Sequence, residues 1–76
     1  MRRVNHNESP EERFKRIATL RTNAVLDRLR ILGNLSNRQM YSYSEEDITK
    51  IFSAINKQLK EVRAKFNSNK GKKFKL

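Results

Sequence analysis

From Ile48 onward an apolar residue returns at every third or fourth position: Ile48, Ile51, Phe52, Ile55, Leu59, Val62 and Phe66. That spacing matches the 3.6-residue turn of an α-helix and suits no strand, whose faces alternate every second residue. The seam is narrow, of the kind seen in coiled coils, and Lys57, Lys60, Glu61 and Lys65 flank it. Ser44 supplies an N-cap hydroxyl, and Glu45, Glu46 and Asp47 place negative charge on the positive end of the helix dipole. A helix over about 45–66 follows.

An earlier segment carries an equally clear start. Ser9 stands as N-cap, Pro10 fits the first helical position, and Glu12 completes a Ser-x-x-Glu capping box. The expected helix runs over about 10–32, with Gly33 as a left-handed residue that ends it. Its apolar set (Phe14, Ile17, Ala18, Leu20, Ala24, Val25, Leu29, Ile31, Leu32) spans an arc of about 180° at ~100° per residue. Arg21 and Arg28 fall inside that arc, and Leu26 lies outside it. One neighbouring helix cannot cover so wide a face, so a second neighbour is expected.

The expected fold is therefore all-α: an antiparallel two-helix hairpin with a long connecting loop, completed as a four-helix bundle by dimerisation or by docking on a partner. The hairpin domain covers 9–66, between a flexible basic N-terminus at 1–8 and a disordered lysine-rich tail at 67–76. The connection of ten residues, Asn34 to Tyr43, exceeds the usual length between paired helices.

A chain of 76 residues buries too little to be securely stable alone. It has no cysteine, so no disulfide can staple it, and the one histidine, His6, cannot build a zinc site. A partner chain or a bound macromolecule is the expected staple. The start is polar after Arg2 and Arg3, so no signal peptide is expected. No apolar run approaches the ~20 residues of a membrane span. The expected location is the cytoplasm.

Charge points to the partner. Eighteen Lys and Arg face eight Asp and Glu, for a net charge of +10. An excess this large in so short a chain favours a polyanion. Residues 67–76 hold Lys70, Lys72, Lys73 and Lys75 and no acid, an arm suited to displacing counterions from phosphates. Arg13, Lys15, Arg16 and Arg30 make the first helix a second phosphate-binding candidate. In the loop, Tyr41 and Tyr43 could stack unpaired bases, while Asn37 and Arg38 supply polar contacts. Set against this, Leu35 and one tyrosine could fold over the end of the hairpin and cap its core. Arg21 and Arg28 could pair with Glu46, Asp47 or Glu61.

Catalysis finds little support. Gly33 and Gly71 are the only glycines, so no phosphate-cradling loop is present, and the acidic clusters sit where helix caps need them. No enzyme activity, cofactor, metal or small-molecule substrate is expected. The first expectation is a nucleic-acid-binding module, RNA slightly favoured over DNA. The alternative is a protein-interaction module, a regulator or inhibitor that docks on an enzyme or nucleoprotein assembly through the apolar first helix. A basic amphipathic helix lying on an anionic membrane is a weaker possibility, disfavoured by the absence of Trp.

Overall fold

The computed structural model describes residues 7–69. It is all-helical, with two long helices in the order α1 (Pro10–Gly33), a 3-10 turn (Asn34–Ser36) and α2 (Glu45–Asn69). Among the described residues there is no strand. The chain divides into two compact units, the first ending at Tyr41 and the second beginning at Ser42.

Both helices start as the sequence requires. Ser9 is extended (φ −76°, ψ 163°), and its hydroxyl accepts the Glu12 N–H at 3.0 Å. Glu12 Oε1 accepts the Ser9 N–H at 2.9 Å, which closes the box. At α2, Ser44 Oγ accepts the Asp47 N–H and Asp47 Oδ2 accepts the Ser44 N–H, both at 3.0 Å. Here aspartate does what glutamate does in α1, so two otherwise orphaned donors are satisfied at each start.

The helix ends depart from expectation. Gly33 is right-handed and helical (φ −62°, ψ −21°), not left-handed. The chain leaves α1 by tightening: the Asn34 N–H is shared between the carbonyls of Ile31 and Leu32, and a 3-10 turn follows through Ser36. This route satisfies the last carbonyls without a sign change in φ, so glycine is not required there. α2 continues three residues beyond the expected end, to Asn69. The Ser68 hydroxyl donates to the Lys65 carbonyl at 3.2 Å, one turn back. Residues 67–69 thus belong to the helix, and the rest of the expected disordered tail lies outside the described residues.

The connection is organised around Asn37. Its side-chain oxygen accepts the Gln39 N–H at 2.9 Å, and its carbonyl accepts the N–H groups of Met40 (3.2 Å) and Tyr41 (3.0 Å). This is an Asx-type turn, in which asparagine mimics a backbone bend.

No described residue is buried. Ile17, Ala18 and Leu32 of α1 and Ile48, Ile51 and Ile55 of α2 are half-covered. Thirteen large apolar side chains are exposed, among them Phe14, Leu20, Leu29, Phe52, Leu59 and Phe66. Covering one such side chain fully contributes roughly 1.5–3 kcal/mol. Within each unit, contacts along a single helix therefore leave most of the available hydrophobic stabilisation unused. No helix is long and apolar enough to cross a membrane, among the described residues.

Candidate nucleic-acid interface

The basic side chains of α1 sort into two sets. Lys15, Arg16 and Arg30 lie opposite the apolar arc, as the helical period requires. Each has a carboxylate partner. Lys15 Nζ stands 3.8 Å from Glu11, one turn earlier. Arg30 pairs with Asp27. Arg16 makes a two-pronged bond to Glu8: Nε donates to Oε2 at 2.8 Å and Nη2 donates to Oε1 at 2.9 Å.

The Glu8–Arg16 pair was not anticipated. Glu8 precedes the N-cap, and helical side chains slant toward the N-terminus, so Arg16 reaches back over two turns to meet it. The Glu8 side chain is only 12% exposed, against 56% for Arg16. The hydrogen bond from the Arg16 guanidinium holds the Glu8 carboxyl below its ordinary value. Partial burial opposes this, and the charges of Arg16 and Arg13 add to it. The same bond raises Arg16. Of the two signs in reach of this pair, the carboxylate is the better shielded, so a phosphate approaching Arg16 must displace a geometrically matched competitor.

The second set is Arg13, Arg21 and Arg28. Among the described residues none of the three has an ion pair. At ~100° per residue, Arg21 and Arg28 sit near the middle of the apolar arc and Arg13 on its edge beside Ile31. Within α2, Glu46 pairs with Lys50 at 3.7 Å and Asp47 caps the helix start. The uncompensated charge of α1 thus lies on its apolar side, whereas the sequence pattern alone favours the outer side.

In the connection, the structure assigns Asn37, Arg38 and Tyr41 to the first unit and Tyr43 to the second. Asn37 is engaged in the turn it builds, and Arg38 and Tyr43 also have partners. Leu35 is exposed rather than folded over a core, as are Met40 and Tyr41, whereas Tyr43 is half-covered. Lys70, Lys72, Lys73 and Lys75, with Arg2 and Arg3, lie outside the described residues.

A shallow depression on α1 is lined by Phe14, Lys15, Ala18, Thr19, Thr22 and Asn23, with a single charge and no acid–base pair. No group of three or more His, Asp or Glu among the described residues could hold a metal. Comparison with protein-family models, curated proteins and solved structures finds no match to this chain.

Proposed function

We propose that this chain is a small, non-enzymatic, cytoplasmic nucleic-acid-binding module, with RNA slightly favoured over DNA. It acts as a homodimer or docked on a larger assembly, its exposed apolar faces covered by a helical partner in the manner of a four-helix bundle. One observation carries the reading: the distribution of uncompensated charge. All eight acidic residues fall between Glu8 and Glu61, and among the described residues Glu8, Glu11, Asp27 and Glu46 sit in ion pairs with nearby cations. Arg2, Arg3, Arg63, Lys65, Lys70, Lys72, Lys73 and Lys75 stand outside that span and supply eight of the ten net charges, six of them in the terminal segments. The grip on phosphate is therefore assigned first to the terminal segments. Arg13 comes second, and Arg38, Lys15, Arg16 and Arg30, which all have partners, come last. Tyr41 and Tyr43 would stack on unpaired bases, with Asn37 shaping the turn between them and α1.

The test is a salt-titrated binding assay against single-stranded RNA, duplex RNA and duplex DNA of matched length. Affinity should fall steeply with salt. Replacing Lys70, Lys72, Lys73 and Lys75 with Gln should flatten the slope by up to ~3–4 charges' worth, weighted by ~0.7 for single strands. No affinity for any of the three at low salt sinks the proposal.

A second reading, a protein-interaction module, is favoured by Arg13, Arg21 and Arg28. An arginine in mid-face cannot be covered by a purely apolar partner without heavy cost. A partner on α1 would have to bring carboxylates among apolar side chains. Stable 1:1 capture of such a helix, with no nucleic-acid affinity, would replace the first reading with this one.

A further inference from the structure

We infer that the α2 seam is a self-pairing surface, which takes the α2 seam of a second copy in antiparallel orientation about an axis level with Lys57. The inference rests on the dimeric part of the proposal above and is independent of the nucleic acid. The seam residues Ile48, Phe52, Ile55, Leu59, Val62 and Phe66 follow a strict four-three alternation, the spacing of the core positions of a coiled coil. Ile48 and Ile55 are half-covered in α2, and Phe52, Leu59, Val62 and Phe66 are exposed.

Two features of this row select its partner. The first is side-chain size. Large residues (Phe52, Leu59, Phe66) occupy one core position and β-branched ones (Ile48, Ile55, Val62) the other. Turned end for end about Lys57, the row meets itself with Ile48 against Phe66, Phe52 against Val62 and Ile55 against Leu59. Each phenylalanine then meets a smaller β-branched side chain and the central layers set Ile55 against its isomer Leu59, so no layer stacks two aromatic rings, an even filling that close packing favours. In a parallel pair, Phe52 would meet Phe52 and Phe66 would meet Phe66, with thin layers between them.

The second feature is charge. Asp47 and Lys65 share one flank of α2, about 100° from the middle of the seam, with Asp47 at the start of the helix and Lys65 near its end; Glu45 extends the row itself one heptad before Phe52, and Arg63 lies beside the row near the other end. Antiparallel pairing brings Asp47 of one copy to within ~3 Å along the axis of the level of the second copy's Lys65. It also opposes the two helix dipoles. Parallel pairing would set the acidic starts side by side and the basic ends side by side, a repulsive arrangement. The seam of α2 thus complements its own reverse in both shape and charge.

The chain has no cysteine, so single substitutions report the geometry directly. Asn56 flanks the seam next to the inferred axis, and Lys57 points away from it. In full-length Asn56→Cys, a short thiol-specific cross-linker should join two copies ~10-fold or more faster than in Lys57→Cys, because pairing holds the thiols at high effective concentration. Sedimentation of the unmodified chain should give twice its 9.0 kDa mass. A monomer at high concentration overturns the inference and hands the seam to another occupant, such as α1 of the same chain. A dimer in which Asn56→Cys links no faster than Lys57→Cys overturns the antiparallel register. Loss of nucleic-acid affinity in a confirmed dimer would remove the nucleic-acid reading and leave the self-pairing intact. A monomer that still binds RNA would do the reverse.

Discussion

The Arg16 guanidinium clasps the Glu8 carboxylate with two bonds, 2.8 and 2.9 Å long, tying the residue before the N-cap to the second turn of α1. The clasp fixes how the chain enters the helix. It also withdraws from the outer face one of the arginines that a phosphate would otherwise use.

The pH dependence of that clasp has a definite sign. Glu8 titrates below its ordinary value of 4.5 when folded, so the protonated form is favoured in the unfolded chain. The contribution is present above 4.5 and is lost as pH falls through the lowered folded value. Arg16→Gln removes the principal cause, and the Glu8 carboxyl followed by NMR should then titrate upward, toward the ordinary value. A Glu8 titration that stays put in Arg16→Gln would show that the pair does not form in solution.

Each start depends on one hydroxyl. Ser9→Ala and Ser44→Ala should each cost about 0.5–2 kcal/mol, typically ~1, as a donor in the first turn loses its acceptor. The loss should be local: hydrogen exchange at the Glu12 amide should quicken in the first variant and at the Asp47 amide in the second.

Gly33→Ala should stabilise the end of α1. The backbone there is right-handed, and a methyl group added at this position meets nothing within 4 Å. The gain expected from reduced freedom of the unfolded chain is about 0.4–1 kcal/mol. Helix content by circular dichroism checks it. A loss of helix would mean that glycine is needed there in a left-handed conformation after all.

The outer face of α1 should contribute little to polyanion binding. Replacing Lys15, Arg16 and Arg30 together with Gln should lower the salt slope by less than replacing the four tail lysines, because each of the three exchanges a carboxylate for a phosphate. Equal slopes for the two variants would contradict this ranking.

The fold was legible wherever its cause is local. Ser9 and Glu12, or Ser44 and Asp47, are three residues apart, and such spacing announces a helix start. The seam of α2 was legible because it is periodic. The α1 exit is not legible at Gly33, which has two lawful continuations; the residues after it, Asn34 to Ser36, decide between them by tightening. The end of α2 falls later than the sequence suggests: Asn67-Ser68-Asn69 reads as a helix breaker by propensity, whereas the Ser68 hydroxyl finds the Lys65 carbonyl. The charge map was half legible. Pairs three or four residues apart obey the helical period, but Glu8 lies before the cap and meets Arg16 eight residues on, a spacing that no helical rule flags.

Both capping boxes close over a span of four residues, and neither borrows anything from elsewhere in the chain. Nucleation, the slow and unfavourable step in making a helix, is thus made less costly by short-range chemistry. Each helix therefore carries part of its ordering before it meets the surface that will cover it. Association should then resemble the docking of preformed rods rather than folding upon contact. Its rate would be set by encounter, and little ordering entropy would be left to lose at the moment of capture.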